Sequence, residues 1–119
     1  MKNDLRTKIL ASKPTMVEPV DVPAWGVTVY VKELTLAERD KFEAGQVRRN
    51  ADGTAFLDTV GLKARLVALT ACDENGDLIF DESDVDSIMG LGAAGVEVVF
   101  TVAQRVNKMR KEDQTNPGN

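Results

Sequence analysis

Histidine is absent from this 119-residue chain. That removes the commonest general base, every Ser–His or Cys–His nucleophile pair, and the usual zinc ligand. Only carboxylate chemistry would be left, so the chain reads as a non-enzyme with no catalytic residue, no metal ligand set and no cofactor. Cysteine occurs once, at Cys72, which excludes an internal disulfide; a buried thiol is expected there. Basic residues are the minority, 15 Lys and Arg against 19 Asp and Glu, for a net charge of −4. Such a balance gives no overall electrostatic drive toward nucleic acid. The basic stretches "VRRN" and "RVNKMRK" contain no interleaved aromatics and read as solvated helix ends. Long apolar runs are missing too, and "KNDLRTKILASK" after Met1 is polar and charged. No membrane span or signal peptide is therefore expected, and the location read from the sequence is cytosolic.

What the chain does contain suits a globular domain: 43% hydrophobic and 29% charged residues. Residues 1–18 read as a short helix and linker that move apart from the rest. Residues 19–111 read as one globular domain, and 112–119, "EDQTNPGN", as a frayed polar tail. Asp4 caps an N-terminal helix Leu5 to Ala11, with Leu5, Ile9 and Leu10 on one face and Lys13-Pro14 ending it. Val20 and Val22 alternate with Asp21, and Val27, Val29 and Val31 alternate with Thr28, Tyr30 and Lys32. Period two in β-branched residues predicts a two-stranded ribbon near 19–32, with Pro23 and Gly26 bracketing its turn. Val27, Val29 and Val31 form the expected inward set, and Trp25 a lid over the core.

Thr35 and Glu38 have the Thr-x-x-Glu spacing of a capping box. They predict a helix start, followed by Leu36, Arg39, Phe42 and Glu43 and broken at Asp52-Gly53. "FLDTVGLKARLVALTAC" predicts a central helix: Phe56, Val60, Ala64, Val67 and Ala71 share a face widened by Leu62, Leu66 and Leu69. Gly61 then falls in its interior, at a cost of about 1 kcal/mol against alanine, where it would let another backbone approach. "ESDVDSIMG" predicts a short helix ended by Gly90. A last helix from about Ala93 to Lys111 carries the stripe Val96, Val99, Phe100, Ala103, Val106 and Met109. The class expected is mainly α within α+β: a small bundle of four to five helices, the ribbon, and a short hairpin turn at Asn75-Gly76.

"CDENGDLIFDESD", Cys72 to Asp84, packs six acidic residues into thirteen positions. Counted as a calcium loop from Asp73, it places Asp73, Asn75 and Asp77 at ligand positions 1, 3 and 5. Position 6 is then Leu78 instead of glycine, and position 12 is Asp84 instead of Glu. Asn75-Gly76 fits the centre of a type I′ turn, Leu78 to Phe80 a short return strand, and Asp81 or Ser83 the cap of the next helix. An ion site using Asp73, Asn75, Asp77 and Asp81 stays as the alternative. "GLGAAG", Gly90 to Gly95, lacks the strand that a phosphate-binding loop requires and reads as a helix end and linker.

The order of motifs goes further than any one of them. "DLRTKILAS", "VDVPAWGVTVYVKELTLAERDKFE", "LKARLVALTACDENGDLIFDESDVDSI" and "AAGVEVVFTVAQRVNKM" together resemble the tail assembly chaperones of long-tailed bacteriophages and prophages, over about residues 4 to 110. The resemblance implies a protein of the bacterial host cytoplasm that is left out of the finished virion. It implies binding to the long helical tape-measure protein, which is kept soluble, and self-association into a homo-oligomer. It also implies a longer, frameshifted form that recruits the tail-tube protein. Pro117-Gly118-Asn119 permits codons with a slippery heptamer. Neither nucleic acid nor membrane is an expected partner. The expected partner surface is Leu91, Val98, Val102 and Met109 with Trp25, because the valines of the last helix cover more than one face; a broad core face explains the same valines. A calcium-responsive regulatory domain and a structural tail or capsid subunit are the alternative functions.

Overall fold

The computed structural model describes residues 2–14 and 16–109. The expected tail, and the last two residues expected in the final helix, lie outside them. The fold is α+β. Helix α1 (Lys2–Ala11) leads into strand β1 (Val17–Val22), a single 3-10 turn (Pro23–Trp25) and β2 (Val27–Lys32). Next come α2 (Leu36–Ala44), a hairpin of β3 (Val47–Arg49) and β4 (Ala55–Leu57), and α3 (Leu62–Thr70), which runs straight into β5 (Ala71–Cys72). A second 3-10 turn (Glu82–Asp84), α4 (Val85–Met89) and α5 (Ala93–Val106) complete it.

The ribbon forms as the alternation predicts, with Val20 opposite Val29 and Val22 opposite Val27. It gains a third strand, since Tyr30 and Val31 pair with Cys72 and Ala71. The sheet order is β1-β2-β5, all antiparallel. Its inner face presents Val20, Val22, Val29 and Val31, and α5 lies across β1 and β2 while packing on α3. All six residues of the α5 stripe are buried, with Val99 and Ala103 fully sealed. In α3, Leu66 and Val67 are also fully sealed, as expected of a central helix. Truncating such a side chain to alanine costs about 2–5 kcal/mol. Val27 departs from expectation: it is 52% exposed because it ends the ribbon beside the turn.

The start of α3 and the end of α5 differ from the pattern-based reading. Phe56 belongs to β4 and Val60 to the following loop, so α3 starts only at Leu62. Gly61 is the residue before that helix, not its interior, and its φ of +79° is one that L side chains rarely adopt. The nearest atom to a Cβ placed there is Met89 Sδ at 4.0 Å, so no close backbone approach is involved. At the other end, α5 stops at Val106. Lys108 takes a φ of +54°, the Met109 amide donates to the Gln104 carbonyl at 2.8 Å, and Met109 turns back into the core.

Asn107 holds this end in place. Its Oδ1 accepts from the buried Leu34 amide at 2.7 Å, and its Nδ2 donates to Ala103 O at 3.0 Å and Lys32 O at 3.3 Å. Arg39 Nη1 donates to the Asn107 carbonyl at 3.0 Å. The end of α5 is thereby tied to β2 and α2.

Candidate partner-binding site

The capping box fixes where α2 begins: the Glu38 amide donates to Thr35 Oγ1 at 3.1 Å, and Glu38 Oε1 accepts from the Thr35 amide at 2.8 Å. The Thr35 amide, helped by Lys32 nearby, holds the Glu38 carboxyl below the usual carboxylate range. So placed, α2 presents Phe42, which is buried, along one wall of a groove. The second wall is α3, through Ala68 and Leu69. The third is the segment returning from β5, through Leu78, Phe80 and Val85.

That return segment is set by local hydrogen bonds. The Gly76 amide donates to Asp73 O at 3.0 Å, and the Asp73 amide to Asp77 O at 2.9 Å. Leu78 bridges to Cys72, and the Ile79 amide donates to Ala71 O at 3.1 Å. The hairpin is present but is not of type I′, which needs positive φ at both central residues. Gly76 has a φ of +87°, whereas among the described residues Lys108 is the only non-glycine with positive φ. Asp73 decides the turn: its Oδ1 accepts from the Asn75 amide at 2.9 Å and the Asp77 amide at 3.1 Å. Asp81 then caps the 3-10 turn, with Oδ1 accepting from the Ser83 amide at 2.8 Å and its own amide donating to Asp84 at 2.9 Å. The Ser83 hydroxyl, followed by the Ser83 amide, holds the Asp81 carboxyl low. Turn and cap chemistry thus accounts for Asp73 and Asp81. Among the described residues no group of three or more Asp, Glu or Cys side chains is arranged to hold a metal ion.

The groove encloses about 580 Å³. Its lining is mostly apolar, with Lys41, Asp81 and Glu82 at the mouth; Lys41 Nζ and Glu82 Oε1 meet at 3.2 Å. Both side chains are over three-quarters exposed, so the pair is easily exchanged for other partners. Arg65 lies under one wall, its guanidinium 5.6 Å from the Phe42 ring centre and its Nη1 donating to Gly45 O at 2.6 Å. Burial, followed by Arg48 nearby, pushes its pKa down, while Asp58 opposes the shift. Its Nε and Nη2 are sealed from solvent and have no acceptor among the described residues. Leu78 and Ile79 remain 43% and 47% exposed. An apolar, open groove between helices has the kind of lining that helix-in-groove recognition uses.

The residues expected to bind a partner differ in exposure. Leu91 and Val98 are exposed, at 43% and 38%. Val102 is part-buried against the core, and Met109 is buried in it after the chain reversal at Lys108. Trp25 is half-buried over α5; a Cβ at Gly95 would come within 2.5 Å of its Nε1. The groove residues Phe42, Leu69, Leu78, Phe80 and Val85 were expected in helices and a return strand, with no partner-binding role. The available signal was the apolar triplet Leu78-Ile79-Phe80 set inside an acidic stretch. No protein-family model matches the chain, and no curated protein or solved structure matches it either.

Proposed function

We propose that this protein is a tail assembly chaperone of a long-tailed bacteriophage or prophage. In this role it binds the tape-measure protein in the host cytoplasm and keeps it soluble while tail-tube subunits assemble. The observation that carries the reading is the groove between α2, α3 and the return segment, which offers Phe42, Leu69, Leu78, Phe80 and Val85 to an apolar helical stripe. The motif order adds the family. Helices patterned for a coil but made before their partners exist expose such stripes, and a reversible cover prevents their aggregation. A longer form carrying a tube-recruiting extension belongs to the same proposal. No helix among the described residues is long and apolar enough to cross a membrane, which is compatible with this role.

The test is co-expression with the tape-measure protein encoded nearby. Wild type should bring the long partner into the soluble fraction and co-purify with it. Leu78→Asp, at an exposed groove position, should leave the melting curve intact and abolish both effects. Retention of both by Leu78→Asp would remove the groove from the proposal, and a partner that stays insoluble beside wild type would end the chaperone reading.

A further inference from the structure

Helix α1 carries apolar side chains that nothing among the described residues covers. Leu5, Ile9 and Leu10 are 65%, 66% and 66% exposed, and with Arg6 they line one continuous shallow surface. Leu5 and Ile9 stand four apart, the spacing of anchors in helix-in-groove recognition. No α1 residue lines the groove of its own chain. Among the described residues, one molecule therefore carries both an open apolar groove and an uncovered set of apolar helix side chains.

Their charges are opposite. Lys2, Arg6, Lys8 and Lys13 make the α1 region basic, with Asp4 the single acidic residue there. The groove is edged by the segment 73–86, which has acidic residues throughout and neither Lys nor Arg. Asp81 and Glu82 lie at its mouth, and Glu82 pairs with Lys41 in an exposed contact. Arg6, in the middle of the apolar face, is placed to take over that carboxylate. We propose that α1 of one copy docks into the groove of a second copy, with Leu5 and Ile9 against Leu69, Phe80 and Val85 and Arg6 at the acidic mouth. The contact is heterologous: each copy gives a helix at one side and a groove at the other, so copies add head to tail. The inference does not rest on the tail-chaperone reading. If a partner helix uses the same groove, it competes with α1 and takes copies off the chain.

The test uses two full-length variants and no partner. Leu5→Asp/Ile9→Asp destroys the helix face and keeps the groove; Leu78→Asp blocks the groove and keeps the helix. Circular dichroism melts establish that both fold like wild type. In sedimentation velocity, wild type should give species that grow with concentration, and each variant alone should stay monomeric. An equimolar mixture should give a one-to-one dimer and nothing larger, because only one competent helix–groove pair is left. Arg6→Glu should weaken wild-type association by about tenfold, and added salt should weaken it as well. The proposal is overturned if wild type is monomeric at every concentration, if the variants associate as wild type does, or if the mixture stays monomeric. It is also overturned if wild type binds vesicles of anionic lipid through α1 while remaining monomeric, which would make α1 a membrane-surface helix.

Discussion

Asn107 gives the sharpest test of how the groove is held in place. Its side chain is the acceptor for the Leu34 amide, one residue before the α2 cap, and both residues are buried at 8% and 7% exposure. Asn107→Ala removes that acceptor and leaves a buried N–H unpaired, at about 1–3 kcal/mol. The Ala103 carbonyl keeps the Asn107 amide as a donor at 3.1 Å, so it adds little to the cost. The longer bond to Lys32 O, and the packing lost with the amide, add about 1 kcal/mol more. The total is about 2–4 kcal/mol, a large share of the roughly 5–15 kcal/mol that stabilises a domain. The assay is urea unfolding followed by circular dichroism, with Trp25, the single tryptophan, as an independent fluorescence probe. Asn107→Asp is the informative companion. It keeps an oxygen for Leu34 but sets the other against the Lys32 and Ala103 carbonyls, so it should be worse at pH 7 and recover partly in acid, where a protonated carboxyl donates. A loss under about 0.5 kcal/mol for Asn107→Ala, within the range of an ordinary surface change, would refute the assignment of this residue as the tie between α5 and α2.

Two further substitutions probe other parts of the frame. Gly95→Ala sets a methyl against the Trp25 indole, where Nε1 and Cε2 lie 2.5 and 2.7 Å from the Cβ position. Overpacking of about 1–3 kcal/mol outweighs a helix-propensity gain of about 1 kcal/mol or less, so the variant should melt lower with a shifted Trp25 emission; a stabilised protein with unchanged emission would contradict the contact. Glu38 is an acid whose pKa is lowered in the folded state. Its contribution is therefore complete above the unfolded value near pH 4.3 and fades as pH falls through the lower folded value. Glu38→Gln should flatten the loss of stability below about pH 4.3 relative to wild type, as read from melts across that range; identical slopes would show that the capping box does not form.

Much of this architecture was legible in the residues, for physical reasons that differ by element. The capping box needs only two side chains at a fixed spacing, and both of its bonds are present. The α5 stripe was visible because burial on one side imposes a period of 3.6 residues, and the β1–β2 ribbon because it imposes a period of two. The β3–β4 hairpin escaped for the converse reason: every residue of both strands is exposed, so no face was selected to be apolar. What orders it is Thr54, whose carbonyl accepts from Asn50 at 2.8 Å and whose amide donates to Asp52 at 2.9 Å. Phe56 was drawn into α3 by spacing alone, although Gly61 with its positive φ separates them. Met109 continued the α5 period in the sequence but reaches the core through the left-handed turn at Lys108, a conformation that side-chain periodicity does not encode.

The candidate site was harder to see than the fold. Residues on one helix share a period, and that made Val98 and Val102 conspicuous. The groove draws its lining from α2, α3 and the segment after β5, so no window of sequence contains it. Only after β5 pairs with β2 does the return strand bring Leu78 and Phe80 beside Phe42 and Leu69. The acidic loop drew attention as an ion site, while its carboxylates are spent on backbone amides at Asp73 and Asp81. Its apolar triplet carries the more consequential information.

A photo-crosslinking residue at position 78, compared with one at position 98, tests the central claim most directly. Each full-length protein is co-produced with the tape-measure protein and irradiated, and the adducts are identified by mass spectrometry. The account predicts tape-measure adducts from position 78 on apolar helical segments, with α1 peptides of a second copy taking their place when the partner is left out. Tape-measure adducts from position 98 alone, with none from position 78, would contradict it.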